Sequence, residues 1–178
     1  LNTTSTYVPC DVSLDDESTG ILLYGVNGAG KSCYSKAVGL CIILAQSGHY
    51  VPAESLHIGL FNKLYTRISD NDNIYTGQSS FFVEMSELKS IIHYADKKSI
   101  VLGDEVCKGT EDVSAVAIVS TTLKWLLNKS ACFIFATHLH NLPDVSIIKN
   151  HKSLSIKHMA VECNSSQDLI EFTREIKD

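Results

Sequence analysis

Apolar and polar residues follow two different periods along this chain, and their order predicts an α/β fold. Short apolar runs bounded by turn residues predict buried strands at residues 21–24, 99–103 and 131–136. Apolar residues at three-to-four spacing predict helices at residues 31–46, 79–95 and 112–128. Strands that alternate with helices in this way are typical of a mainly parallel sheet flanked by helices.

The other segments carry a weaker pattern. Residues 57–68 alternate loosely and favour one or two strands, and residues 154–161 and 169–172 favour two more in an antiparallel edge hairpin. Within the helix at 79–95 we expect Phe82 and Met85 to lie in the core. Because no internal repeat or linker interrupts the pattern, residues 1–178 are predicted to form one domain.

Composition excludes several classes of protein. Of the 178 residues, 44% are hydrophobic, which allows a sizeable core and excludes wholesale disorder. No apolar run reaches the roughly 18 residues that a membrane span needs, so we expect no membrane partner. The 15 basic residues are scattered among 20 acidic ones, for a net charge of −5. A domain that grips DNA by itself is usually basic, so we expect DNA contacts to come from elsewhere.

The cysteines and the chain ends bear on cellular context. Six cysteines occur without any CxxC pair, which favours buried thiols over a disulfide framework. We therefore expect an intracellular, reducing compartment; nucleus, mitochondrion and viral or host cytoplasm are not distinguished. The chain begins at Leu1 and ends in a charged run, which predicts a piece of a longer protein.

The sharpest motif is the segment of residues 25–32, which fits G-x-x-x-x-G-K-[ST] through Gly25, Gly30, Lys31 and Ser32. Glycine lets backbone N–H groups curl around a phosphate, Lys31 reaches the outer phosphates, and Ser32 offers a hydroxyl to Mg²⁺. The predicted helix that follows points its positive end at the same anion. Its place between a strand and a helix favours a nucleotide site over a chance glycine turn.

Two further motifs follow predicted strands. Asp104 and Glu105 come after the strand at 99–103, where an Asp can hold Mg²⁺ and a Glu can polarise an attacking water. Such a pair is also an ordinary way to leave a sheet, but the phosphate motif favours the functional interpretation. His138 follows the strand at 131–136, where it can contact the γ-phosphate or the water. With His140 it forms an HxH pair, which is weak as a metal site because no third ligand is evident.

The stretch between these motifs points to a family. Residues 77–87, GQSSFFVEMSE, resemble the G-x-S-T-F-x-V-E-M-x-E stretch of the MutS DNA mismatch-recognition family. Residues 48–53, 58–59, 65–68, 104–110 and 135–138 resemble its G-x-x-V-P-A, I-G, [FY]-T-R-[IV], D-E-x-x-[RK]-G-T and F-A-T-H blocks. The blocks occur in order between about Tyr7 and His138.

The resemblance implies a P-loop NTPase of ABC-ATPase type that uses ATP/ADP and Mg²⁺ as a nucleotide switch. In that family two ATPase domains pair and sandwich each nucleotide, so the implied partner is a second copy or a MutS-like paralogue. Mismatched duplex DNA would be held by domains outside this chain.

The resemblance also implies roles for single residues. The chain's own nucleotide would be bound by Tyr7, Gly25, Asn27, Gly28, Ala29, Gly30, Lys31, Ser32 and Cys33, with Tyr7 packed on adenine. Ser32 and Asp104 would hold the metal, Glu105 would be the catalytic base, and His138 would sense the γ-phosphate. Ser79 or Ser80 would approach the partner's γ-phosphate from a helix N-terminus, unless they serve as helix caps only.

Some positions depart from the family pattern and suggest a divergent branch, organellar or viral. Residues 28–30 read Gly-Ala-Gly where many members have Met-Gly-Gly, and Cys10 stands where many have Asn near the adenine. Residues 111–115 replace a small polar stretch that communicates between subunits, which puts that coupling in doubt.

Three other functions fit fewer of these features. A transport or chromosome-structure ABC ATPase shares the implied fold but carries a Leu-Ser-Gly-Gly type stretch, which is absent. A small-molecule kinase needs an Arg-rich lid, whereas this chain has only Arg67 and Arg174. A non-catalytic binding module would not need Glu105 beside Asp104.

Overall fold

The structure is a computed structural model that describes residues 8–68, 80–164 and 169–178. Its strands are β1 (Gly20–Tyr24), β2 (Lys63–Ile68), β3 (Ser99–Asp104), β4 (Cys132–Thr137), β5 (Leu154–Asn164) and β6 (Leu169–Lys177). Its helices are α1 (Lys31–Gln46), α2 (Ser80–Tyr94), α3 (Asp112–Asn128) and the short α4 (Ser146–Lys149), which follows a 3-10 turn at Leu142–Asp144.

The six strands form one sheet in the order β2-β3-β4-β1-β5-β6. Every neighbouring pair is parallel except β5 with β6, which is antiparallel. The prediction of an α/β fold with a mainly parallel sheet and an antiparallel edge is confirmed. Because β3, β4 and β1 are neighbours and parallel, the loops after these three strands leave from the same edge of the sheet.

Helices cover both faces of the central strands, which explains why these strands are apolar throughout. One face packs Ile21, Leu23 and Leu102 against α1, through residues such as Tyr34 and Ile42. The other face packs alternate strand residues against α2, α3 and α4. Since successive residues of a strand point to opposite faces, a strand buried on both sides loses the polar alternation of an exposed sheet.

Two glycines make room for aromatic rings on β4. A Cβ built on Gly20 would lie 2.2 Å from Phe133 Cζ, and one built on Gly103 would lie 2.8 Å from Phe135 Cε1. Both rings are buried, and they meet edge to face with centroids 5.8 Å apart. The strands on either side of β4 therefore carry glycine opposite each ring, which leaves room for both aromatic side chains.

Some sequence predictions are corrected. Of the one or two strands expected over residues 57–68, the structure has one, β2, and residues 57–62 form no strand. The prediction that Phe82 lies in the core is wrong, because its side chain is 60% exposed, and Met85 is only partly buried. Helix α2 packs instead through Leu88 and Ile91, and Phe82 lies on the opposite side of the helix.

The expectation of buried thiols holds for only part of the set. Cys107 is buried and Cys41 and Cys132 are half-buried, but Cys10 and Cys33 are exposed. These five cysteines are free; the side chain of Cys163 lies outside the described residues. Across the described parts of the chain, no helix is both long and apolar enough to cross a membrane.

Candidate functional site

The sequence-predicted functional groups meet at the carboxyl edge of β1, β3 and β4. Tyr24, the last residue of β1, pairs with Thr137 of β4, and Asp104 of β3 pairs with Ala136. The segment after each strand therefore begins at the same level of the sheet. This register brings together residues 25–32, which we call the glycine loop, the segment from Glu105 and the segment from His138.

The glycine loop needs glycine for its backbone and for its packing. Gly25, Gly28 and Gly30 have φ angles of 151°, 83° and 110°, a region that side chains disfavour. A Cβ on Gly25 or Gly30 would also come within 3.2 or 3.3 Å of Met159 side-chain atoms. Gly30 precedes the first turn of α1, and no side chain caps that helix. The first N–H groups of a 16-residue helix are thus left for another acceptor.

Lys31 is a buried cation folded back onto its own loop. Its side chain is 4% exposed, and Nζ donates hydrogen bonds to the carbonyl oxygens of Gly25 at 2.6 Å and Val26 at 3.0 Å. Burial lowers the pKa of Lys31, while the charges of Glu105 and Asp104 partly oppose that shift. The ammonium group therefore holds the loop closed and faces two carboxylates that lie beyond it.

Asp104 is a buried carboxylate with an unsatisfied atom. The residue is 5% exposed, and its Oδ1 makes no hydrogen bond. A buried polar atom without a partner costs free energy, so in native proteins such an atom is usually matched by a water, an ion or a functional role. A carboxylate oxygen is also a preferred ligand of Mg²⁺.

Asp104 and Ser32 offer oxygen ligands of the kind that Mg²⁺ prefers. Within the described residues no group of three or more His, Cys, Asp or Glu side chains could hold a metal ion. Ser32, half-buried in the first turn of α1, adds a hydroxyl. Mg²⁺ takes one or two protein ligands and completes its shell with water and substrate phosphates, so Asp104 with Ser32 is a sufficient protein contribution.

Glu105 stands in a strained backbone position directly after β3. Its φ is 48°, and its N–H donates to the carbonyl oxygen of Ala136 at 2.9 Å. The Lys108 ammonium is hydrogen-bonded to the Glu105 carboxylate and is the main cause that lowers the pKa of Glu105; the charges of Lys31 and His138 lower it further. The carboxylate is therefore ionised at neutral pH and is able to accept a proton.

His138 follows β4 at the same edge. It is half-buried, and its Nδ1 has no hydrogen-bond partner. His140 is exposed and lies edge-on to the Tyr24 ring at 6.4 Å between centroids, so it belongs to a separate aromatic contact.

The other predicted site residues lie in or next to the glycine loop, or fall partly or wholly outside the described residues. Asn27 and Gly28 are exposed in the glycine loop, Ala29 is buried beneath it, and Cys33 is exposed on α1. Tyr7 and Ser79 lie outside the described residues. Ser80 is the first residue of α2, but its side chain lies outside the described part.

Two residues of this edge were missed by reasoning from the sequence. Lys108 pairs with Glu105, and Glu84 of α2 accepts a buried hydrogen bond from the N–H of Cys107 at 3.0 Å. Both stand in the quoted sequence blocks, at the Lys of D-E-x-x-[RK]-G-T and the Glu of V-E-M. A signal was therefore present, but only the tertiary structure shows what each side chain contacts.

Known proteins match this chain over most of its length. The family described as MutS domain V matches residues 21–178. A mutS homolog of Acanthamoeba polyphaga mimivirus is 43% identical over 166 residues, covering 92% of this chain and 15% of that protein. A mitochondrial DNA mismatch repair protein mutS homolog of Sarcophyton glaucum is 44% identical over 142 residues, covering 80% of this chain and 14% of that protein.

A bacterial relative extends the match. The DNA mismatch repair protein MutS of Caldicellulosiruptor saccharolyticus is 38% identical over 176 residues, which cover 97% of this chain and 20% of that protein. The chain thus spans one fifth or less of the length of these three relatives.

Proposed function

The chain belongs to the MutS family, in which it corresponds to domain V, and from this premise we propose that it binds and hydrolyses Mg-ATP as a nucleotide switch in DNA mismatch repair. Its fold is then of the P-loop, ABC-ATPase type. The sensor it serves binds mismatched duplex DNA through domains outside this chain, which agrees with the net charge of −5.

One observation carries the proposal. A buried lysine, a buried carboxylate with an unpaired oxygen, an ionised glutamate and a histidine with an unpaired nitrogen share one edge of the sheet with the glycine loop. Asp104 Oδ1 and His138 Nδ1 are buried without a hydrogen bond. Each therefore costs folding free energy, because in the unfolded chain water would supply that hydrogen bond. Asp104 Oδ1 would gain a partner in bound Mg²⁺, and His138 Nδ1 would gain one in a phosphate oxygen or a water molecule.

The chemistry follows from what each group does. The N–H groups at the start of α1 bind phosphate oxygens, and Lys31 exchanges its loop carbonyl contacts for the outer phosphates. Asp104 and Ser32 would hold Mg²⁺, which would neutralise charge on the phosphates. Glu105 accepts the proton of the attacking water, and His138 hydrogen-bonds the γ-phosphate or that water.

The site is completed by a second ATPase domain. Helix α2 begins at Ser80, and we assign its N-terminus, with Ser79 and Ser80, to the γ-phosphate bound by a partner chain. That partner is a second copy or a MutS-like paralogue. This arrangement makes hydrolysis depend on assembly, which is what a switch that reports on distant domains requires.

Replacing Glu105 by Gln tests the catalytic assignment. We expect ATP binding to persist and turnover to fall by roughly 10²–10⁴-fold, the usual range for a general base. Binding is measured with a fluorescent ATP analogue and turnover by phosphate release. Glu111→Gln is the matched control, because Glu111 is an exposed carboxylate on the same connection. Turnover at the wild-type rate in Glu105→Gln would remove Glu105 from this role.

Assembly is tested by measuring ATPase specific activity against protein concentration. A composite site predicts that activity per chain rises with concentration and saturates once the dimer is formed. An appreciable rate that stays flat from nanomolar to micromolar chain would mean a self-contained site. That result would contradict the dimer and leave ATP hydrolysis itself standing. No observation favours the alternative of a transport or chromosome-structure ATPase.

A further inference from the structure

The connection after β3 is a strained loop whose shape decides where the Glu105 carboxylate points. Residues 105–110, which we call the base loop, contain two non-glycine residues with positive φ, Glu105 at 48° and Cys107 at 65°. Such backbone persists only where surrounding contacts hold it. One side of the base loop is held by β4, through the hydrogen bond from Glu105 N to the carbonyl oxygen of Ala136.

The other side is held by a single carboxylate on a different element. Glu84, only 8% exposed, accepts the hydrogen bond of the Cys107 N–H through Oε1 at 3.0 Å. Cys107 is itself 1% exposed, so no water can replace that acceptor without the loop opening. Arg67 of β2 lies beside the acceptor, with Nε 3.5 Å from Glu84 and 3.2 Å from Glu87.

Glu84 therefore connects three elements that are distant along the chain: α2, the base loop and β2. It lies 21 residues before Glu105 in sequence and one helical turn after Ser80, where α2 begins. A shift of α2 moves the acceptor of the Cys107 N–H, and with it the backbone that carries Glu105. A buried carboxylate costs desolvation even with the Cys107 N–H and the Arg67 guanidinium beside it, a cost that a purely structural position could avoid with an apolar side chain.

We propose that Glu84 is a positioning residue, which fixes the base loop through the Cys107 N–H and thereby places the Glu105 carboxylate for hydrolysis. The inference rests on the proposed function, because it assigns a role toward the same reaction. It also links the N-terminal turn of α2, where the partner's nucleotide is proposed to bind, to the base of the chain's own site.

Three substitutions separate the acceptor from the charge. Glu84→Ala removes the acceptor, and Glu84→Asp shortens the side chain by one methylene. Glu84→Gln keeps an acceptor oxygen on a side chain of the same length. Glu87→Gln is the control, because Glu87 also contacts Arg67 but is half exposed, and among the described residues no hydrogen bond or ion pair joins it to the base loop. We expect kcat to fall on the order of 10²-fold in the Ala and Asp variants, the cost of misplacing a catalytic group by about 1 Å. The Gln variant and the control should retain at least a third of wild-type kcat.

Two readouts distinguish positioning from general destabilisation. The Kd for a fluorescent ATP analogue should change less than twofold in the folded variants, since the glycine loop is untouched. Alkylation of Cys107 by iodoacetamide, followed by peptide mass spectrometry, should accelerate at least tenfold in Glu84→Ala and Glu84→Asp. The exposed Cys10 and Cys33 serve as internal references whose rates stay constant.

The outcomes decide the proposal even if Glu84→Ala does not fold. Loss of kcat in Glu84→Asp with retained Kd and faster Cys107 alkylation supports it, as does rescue by Glu84→Gln. Unchanged kcat in Glu84→Asp, or unchanged Cys107 alkylation, overturns it. If wild-type chain shows no ATP turnover at any concentration, the proposed function fails and the positioning role fails with it. That case differs from failure of Glu84 alone, in which the wild type remains active.

Discussion

Asp104→Asn is the substitution that best separates a metal-binding role from a structural one. The side chain keeps its size but loses the charge that attracts a cation. Because Asp104 Oδ1 makes no hydrogen bond in the free protein, the substitution breaks none at that atom. The variant is therefore expected to fold, and to differ from the wild type chiefly when nucleotide and Mg²⁺ are added.

The magnitudes follow from two opposing effects on the free protein. Removing a buried, partly unsatisfied charge relieves a cost of about 1–3 kcal/mol, while the attraction between Asp104 and Lys31 is lost. We expect these to offset, so that the free energy of unfolding without ligand changes by no more than about 1 kcal/mol. A buried ion pair that served stability would instead lose about 3–5 kcal/mol when one partner is neutralised.

Ligand binding gives the second magnitude. At 100 times its Kd, Mg-ATP stabilises the wild-type chain by about 2.7 kcal/mol. For a domain of this size that corresponds to a rise in Tm of roughly 5–11 °C. In Asp104→Asn we expect the Mg²⁺-dependent part of this rise to disappear, leaving only the response to ATP in EDTA.

Thermal unfolding with ATP in Mg²⁺ or in EDTA measures both quantities at once. Asp144→Asn is the control, because Asp144 is an exposed carboxylate paired with Lys149. The reasoning is refuted if Asp104→Asn loses about 3 kcal/mol or more without ligand, the mark of a structural pair. It is equally refuted if Mg²⁺ raises the Tm of the variant as much as that of the wild type.

Three further predictions test neighbouring features. Lys31→Ala should abolish nucleotide binding, and an unchanged affinity for a fluorescent ATP analogue would contradict the phosphate role of the glycine loop. Lys108→Met should raise the pKa of Glu105, whose main lowering influence is the Lys108 hydrogen bond. Since Glu105 must be ionised to act, the acid limb of the kcat profile should move to higher pH, and an unmoved limb would refute the pairing. Gly20→Ala should cost about 1–3 kcal/mol in urea unfolding by overpacking Phe133. Phe133→Leu in the same chain should recover part of that loss, and strictly additive losses would argue against the contact.

Local sequence patterns predicted the glycine loop and most of the helices and strands close to where the structure has them. The sequence pattern predicts helices at residues 31–46 and 112–128 with the bounds that the structure has, because apolar periodicity and a following polar turn are encoded locally. The glycine loop could be predicted because its positive φ angles favour glycine, and three such glycines fall within a few residues of one another. The number of strands over residues 57–68 could not be predicted from the sequence, because the alternation there is loose and the strand is stabilised by pairing with β3.

Burial of particular side chains was not predictable in the same way. Helix α1 buries Gly39, where a Cβ would come 2.7 Å from Leu102, yet Leu40 and Ile43 are 59% and 51% exposed. Phe82 was assigned to the core and is exposed for the same reason. Which face of a helix meets the sheet depends on close approach to particular neighbours, and apolar character alone does not determine it.

By itself the sequence determined the three long helices and most of the strands, though not α4, and that residues 25–32 form a glycine-rich turn before a helix. Those features depend on contacts within a few residues. Only the tertiary structure decided how Asp104, Glu105 and His138 meet that loop, because the order β3-β4-β1 joins strands that are far apart in the chain. It alone placed the Glu84 carboxylate on the Cys107 N–H, since a hydrogen bond between separate elements exists only once both have packed against the same core.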